Sequence, residues 1–222
     1  MHLQHFNQQF ILSETGALFW IEQKMLIIAD AHLAKENHFR KNGIAVPRGI
    51  LQFDLQKIET LIDTFQPSII LFLGDMFHSE ENEGLNEFLY WRKKISGLKI
   101  KLVIGNHDIL NRDWYIFAGI DCYDDALQVE NILFTHDKKI TEKETLNLYG
   151  HIHPCVMLHG KAKQSLRLPC FWFYENYGVI PAFGRFTGSR SIEHKKNDLV
   201  FGIGDGKIFN ILPPVRELRI SK

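Results

Sequence analysis

Three short runs dominated by apolar residues, Met25–Ala29, Ile69–Leu73 and residues 100–104, each give way directly to a polar cluster. Runs without polar alternation are the pattern of strands covered on both faces, and parallel strands of that kind need crossover helices between them. The intervening segments supply them. Leu51, Leu55, Ile58, Ile62 and Phe65 recur at 4-3-4-3 spacing, which predicts an amphipathic helix over residues 49–65, stopped before Pro67. Leu85, Phe88, Leu89, Arg92 and Ile95 predict a second, ending near Gly97. Residues 10–12 and 17–21, around Glu14-Thr15-Gly16, predict an opening hairpin. Residues 131–134 and Leu146–Tyr149 complete this first set of strands.

After Pro154 the helical period disappears. Residues 166–174, 178–182, 199–202 and 207–212 read as successive strands punctuated by Gly and Pro. A βαβ portion followed by an all-β portion predicts an α/β protein of two mixed β-sheets packed face to face, with helices outside the first. At 222 residues the expectation is one domain, 1–222.

Composition excludes several classes. With 45% hydrophobic and 23% charged residues, the chain is neither disordered, collagenous nor a coiled coil. Cys122, Cys155 and Cys170 form no CxxC and cannot all pair, so reduced thiols and a cytoplasmic location are expected. Residues 1–20 are interrupted by His2, Gln4, His5, Asn7, Gln8, Gln9 and Glu14, so no secretory signal is expected. No apolar run approaches the roughly 20 residues of a membrane helix. The net charge of zero hides an asymmetry: residues 156–222 carry eleven Lys/Arg against five Asp/Glu, and the first 155 residues carry the opposite surplus. Such a split suits a site with cations on one side and a polyanion on the other; chance patterning of a solvated surface explains it equally well.

Five polar clusters follow predicted strands: Asp30-Ala31-His32, Gly74-Asp75, Gly105-Asn106-His107-Asp108, Thr135-His136 and Gly150-His151-Ile152-His153. Loops beyond the carboxyl ends of adjacent strands converge on one crevice. Glycine introduces three of the clusters and permits a sharp turn there. Each cluster alone has a structural explanation, such as a turn, a cap or a left-handed Asn. All five together, built from imidazole, carboxylate and amide, point instead to one metal site. In an extended segment residues i and i+2 face the same way, so Asp30 with His32, and His151 with His153, can be presented in pairs.

In the order DxH, GD, GNHD, TH, GHxH, these motifs resemble the calcineurin-like metallophosphoesterase superfamily over essentially the whole chain, with Asp137 where the family often has Gly. That resemblance implies a four-layer α/β/β/α sandwich and two divalent metal ions. Asp75 would bridge the ions. Asp30, His32 and His153 would complete one site, and Asn106, His136 and His151 the other. His107 would act off the metals as general acid or charge stabiliser, oriented by Asp108. The mixed ligand set suits Mn²⁺ first, with Fe or Zn²⁺ as alternatives.

Residues 31–49, 73–79 and 165–188 further resemble the bacterial ligase-associated DNA-damage-response metallophosphoesterases, described as endonucleases. That implies a DNA or other phosphodiester substrate, a repair role and functional association with an ATP-dependent DNA ligase. The rival readings are a small-molecule phosphatase or nucleotide phosphodiesterase, and a non-catalytic scaffold of the same fold. All seven ligand positions and His107 hold competent residues, which argues against the scaffold. Candidate substrate contacts are Arg40, His78 and Arg185. Lys35, His38, Lys41 and Arg48 form either a phosphate-contacting loop or a solvated one, and for Trp172, Phe173, Tyr174 and Tyr177 a place in a predicted strand and turn favours partial core burial over stacking on bases. Oligomeric state stays open, a homodimer being one option.

Overall fold

The structure is a computed structural model that describes residues 1–35, 47, 49–77, 83–160, 164–185 and 187–211. The first sheet has seven strands in chain order: β1 (His2–His5), β2 (Gln8–Leu12), β3 (Leu18–Trp20), β4 (Met25–Ala29), β5 (Ile69–Leu73), β6 (Lys99–Val103) and β7 (Ile120–Tyr123). The first four form an antiparallel meander, and β4 to β7 are parallel. Helices α1 (Ile50–Phe65), α2 (Glu83–Lys94) and α3 (Arg112–Phe117) make the three crossovers. Gly49 opens α1 at φ 83°. Gln66 closes it in left-handed backbone, its N–H donating to Ile62 O. Leu51, Leu55, Ile58 and Leu61 are the face α1 buries against the sheet, each side chain contributing about 1.5–3 kcal/mol.

The second sheet contains β8 (Leu127–Val129), β9 (Ile132–Phe134), β10 (Leu146–Tyr149), β11 (Pro154–His159), β12 (Ser165–Tyr174), β13 (Tyr177–Val179), β14 (Arg190–Ser191), β15 (Leu199–Gly204) and β16 (Lys207–Asn210). Its order is β14-β11-β12-β13-β10-β9-β8, with β15 added on β12 and β16 on β15. The expectation that residues 131–134 and 146–149 complete the first set of strands is thereby corrected. β10 lies between β9 and β13, parallel to both, inside the second sheet.

The two sheets pack face to face through Phe10, Trp20, Ile27 and Leu71 on one side and Phe134, Leu148, Phe171 and Phe201 on the other. The helices cover the opposite face of the first sheet, where Leu26, Ile28, Ile70 and Phe72 meet Leu55, Ile58 and Phe88. On the outer face of the second sheet the buried clusters come from strands and loops, and among the described residues no helix joins them. This arrangement sends the carboxyl ends of β4, β5 and β6 from one sheet and of β9 and β10 from the other toward one edge of the sandwich.

Candidate metal centre

All five polar clusters meet at that edge. The loops after β4 and β5 continue as a pair beyond the strands, with His32 N donating to Asp75 O at 2.8 Å and Leu33 N to Met76 O at 2.8 Å. Five of the seven expected ligands, Asp30, His32, Asp75, His151 and His153, have φ between 44° and 64°. The extended-segment argument for the i, i+2 pairs therefore fails on its premise. Left-handed backbone turns each of these side chains inward, at a cost of order 1–3 kcal/mol per residue, and such strain concentrates at functional sites.

Glycine acts here mainly through close approach. A Cβ on Gly74 would overlap the His136 ring, one on Gly105 the Asp75 backbone nitrogen and Oδ1, and one on Gly150 the Asp30 Oδ2. Of the three, only Gly74 has a positive φ, so the turn argument holds there alone.

Asp30, His32 and His153 form one group of potential ligand atoms, and Asp30, Asp75 and His136 another. His153 Nδ1 donates to Gly188 O at 2.9 Å, leaving Nε2 3.4 Å from Asp30 Oδ1. His136 Nδ1 donates to Leu73 O at 3.1 Å, leaving Nε2 2.9 Å from Asn106 Oδ1, 3.0 Å from His151 Nδ1 and 3.5 Å from Asp75 Oδ1. A backbone carbonyl on the outer nitrogen is how metal-ligating histidines are oriented. Asp75 faces both ways, with Oδ1 toward His136 and Oδ2 3.7 Å from His32 Nε2. Asp30 is fully buried: Oδ2 accepts from His151 N at 2.9 Å, whereas Oδ1 has no close hydrogen-bond donor among the described residues.

A buried carboxylate oxygen without a donor, facing imidazole lone pairs, is unfavourable unless positive charge occupies the space. The donor set of three imidazoles, two carboxylates and an amide around it, with His151 at the mouth, fits a pair of divalent transition-metal ions. His153 responds to the same field. Burial alone would lower its pKa, but the Asp30 carboxylate, the Gly188 carbonyl and Asp75 together raise it above the ordinary histidine value.

His107 stands at the rim, half-buried, its ring 5.5 Å from that of His32 and its backbone N donating to Asp75 Oδ1 at 2.9 Å. The expected service of Asp108, orienting His107, is not what its oxygens do. Oδ1 accepts from Met76 N and Phe77 N at 2.9 and 3.3 Å, and Oδ2 from Gly105 N at 2.8 Å. Asp108 thus ties the loop after β6 to the loop after β5. Desolvation pushes its carboxyl up to about 7 against the effect of those N–H donors.

Arg185 lies outside the ligand cluster. Its guanidinium sits 3.6 Å above the Phe53 ring of α1, exposed, one residue past Gly184, whose N–H donates to Asp30 O at 3.2 Å. Lys57 anchors this loop by donating to Phe183 O at 2.7 Å, with Asp54 Oδ1 3.9 Å away. Nothing in the sequence signals Phe53 or Lys57 as part of the site, because the contact spans 126 residues. Lys35 is half-buried close enough to Asp75 to be attracted by its charge, although desolvation lowers its pKa. Arg40 and His78 lie outside the described residues, as do His38, Lys41 and Arg48.

A two-sheet sandwich with carboxylates and imidazoles gathered at the ends of parallel strands is an arrangement suited to holding metal ions. Residues 23–199 match the calcineurin-like phosphoesterase family, and the chain belongs to it. No curated protein sequence matches the chain. Among solved structures, the Pseudomonas putida nuclease MPE superposes with a TM-score of 0.79 at 24% identity, covering 95% of this chain and 99% of that one. A protein of unknown function from Aquifex aeolicus matches at TM-score 0.41 and 22% identity over 58% of this chain and 78% of that one. Yfce, a phosphoesterase from E. coli, matches at 0.46 and 13%, covering 83% and 95%. The first of these carries the shared fold. No helix among the described residues is long and apolar enough to cross a membrane.

Proposed function

We propose that this phosphoesterase is a dinuclear, manganese-dependent phosphodiesterase that cleaves DNA. The observation that carries the reading is Asp75, whose two oxygens face two separate imidazole groups, His32 on one side and His136 on the other. A carboxylate so placed is suited to be shared by two cations, with Asp30, His32 and His153 holding one and Asn106, His136 and His151 the other. When bound, the cations supply the positive charge that makes water a nucleophile at neutral pH and neutralises the phosphoryl oxygens.

The chain's own groups do the rest. His107, at the rim, donates a proton or positive charge to the leaving oxygen. Asp108 keeps the His107 loop fixed against Asp75 through its three backbone N–H bonds. Arg185, held flat on Phe53, offers a preorganised fork for a backbone phosphate. A polymer substrate is supported by the exposed position of Arg185, by the basic surplus of residues 156–222 and by the likeness to a nuclease. The reading also carries a cytoplasmic setting, a single domain over 1–222, and functional association with an ATP-dependent DNA ligase.

The test is turnover of an aryl phosphodiester, an aryl phosphomonoester and DNA by metal-free protein resupplied with Mn²⁺, Fe²⁺, Zn²⁺ or Mg²⁺. Diester and DNA cleavage restored best by Mn²⁺ supports the proposal. Hydrolysis confined to the monoester or to free nucleotides would replace it with a small-molecule phosphatase.

A further inference from the structure

Ile152 separates His151 from His153 and packs on the outer face of the second sheet with Tyr149, Trp172, Tyr174 and Tyr177. Three of these rings form one continuous stack. Trp172 and Tyr174 lie 4.2 Å apart between centroids at 25°, and Tyr174 and Tyr177 lie 5.2 Å apart at 28°. Lys138, two residues after His136, closes one end with its Nζ 3.9 Å from the Tyr177 centroid. At the other end Trp172, pinned by its Nε1–H donating to Asp198 Oδ2 at 2.9 Å, walls a cavity of about 400 Å³. Ile152, Arg190, Ser191, Ile192 and Glu193 complete the lining.

The cavity shares backbone with the metal centre. Arg190 N donates to His153 O at 3.0 Å, and the segment just before it supplies the Gly188 carbonyl that orients the His153 ring. We propose that this cavity binds an unpaired nucleobase of the strand being cleaved, stacked on Trp172 as a continuation of the Trp172–Tyr174–Tyr177 ladder. The inference rests on the nucleic-acid reading above and names where the polymer is gripped beyond its phosphates.

Three features select a base as the occupant. A planar wall at the end of an aromatic stack accepts any base, because every base has a π-face. Arg190 is exposed at the rim and offers its guanidinium to the phosphate flanking the base. Ser191 and Glu193 in the lining add a hydroxyl and a carboxylate, groups that accept from the amino and imino donors of a base edge. A paired base cannot enter such a cavity, so the strand must be unpaired at this offset from the cut.

The experiment uses the Mn²⁺-loaded wild-type protein and single-stranded oligodeoxynucleotides that differ only in the position of one abasic residue, with cleavage mapped phosphate by phosphate. An abasic residue at one fixed offset should lower cleavage of the corresponding phosphate on the order of tenfold, within the range of single-base stacking losses. Trp172→Leu should erase that offset dependence. Arg190→Ala, a change at an exposed side chain, should lower the ratio of DNA cleavage to aryl-diester hydrolysis. Wild-type cleavage indifferent to abasic position, or the same offset dependence in Trp172→Leu, overturns the base subsite alone. Aryl-diester hydrolysis without any DNA cleavage overturns the DNA reading and the subsite with it.

Discussion

A side-chain carbon on Gly105 would lie 2.4 Å from both the Asp75 backbone nitrogen and its Oδ1, so the loop after β6 lies directly against the carboxylate proposed to join the two cations. Gly105 has no positive φ, and its small size is needed for contact alone. Gly105→Ala should therefore displace Asp75 without straining its own backbone. Misplacement of that kind costs about 10²-fold in rate, and bound metal should fall with it. Gly97→Ala, where an added Cβ meets nothing within 4 Å, is the matched control and should behave as wild type. Metal content and aryl-diester turnover of the two variants check this.

His107 should contribute to chemistry without holding metal. His107→Asn should retain both ions while turnover drops roughly 10²–10⁴-fold, the usual range for a general acid or base. Metal analysis beside steady-state kinetics decides it. Loss of an ion in this variant would make His107 a ligand.

Substrate grip should depend on salt. Each phosphate neutralised on single-stranded DNA adds about −0.7 to the slope of log affinity against log salt, and on duplex about −0.9. Arg185→Ala should flatten the slope by about one such contact and lower DNA cleavage relative to aryl-diester hydrolysis. Affinity measured from low to physiological salt, with turnover blocked by His107→Asn, tests it. An unchanged slope would take Arg185 out of the phosphate track.

Lys57 gives a pH signature of the same loop. Burial first, and Arg185 nearby, lower its pKa from 10.5 to about 8, against the pull of Asp54. Between pH 8 and 10.5 the unfolded chain holds a proton that the folded chain has lost, so this group makes stability rise with pH across that window. The gain is at most ~3 kcal/mol. Urea midpoints of wild type and Lys57→Met, measured from pH 7 to 10.5, should shift in favour of wild type as pH rises. Parallel curves would show that Lys57 titrates normally.

What the sequence makes legible follows from the range of the interactions involved. Met25–Ala29 and Ile69–Leu73 appear as strands with the expected bounds, because a strand buried on both faces leaves an uninterrupted apolar run. Strands β8 and β14, of three and two residues, and the six-residue α3 are too short to leave a period. The motif order placed every polar cluster at a strand end, yet left-handed backbone, not extended geometry, turns Asp30, His32, His151 and His153 inward. The tie from Asp108 to Met76, Phe77 and Gly105, and the Arg185–Phe53 stack, join residues distant in sequence, so no local pattern announces them. For Trp172 and Tyr174 the sequence favours partial core burial over base stacking. The structure leaves both half-buried, on a sheet face that carries no helix among the described residues.

The most direct test of the central claim is the metal stoichiometry of Asp75→Asn, which keeps the side chain's shape and removes the charge that two cations would share. Wild-type protein loaded with Mn²⁺ should hold two ions per chain. The variant should hold one or none, with aryl-diester turnover collapsing in step. Two tightly bound ions and near-normal turnover in Asp75→Asn would contradict the account.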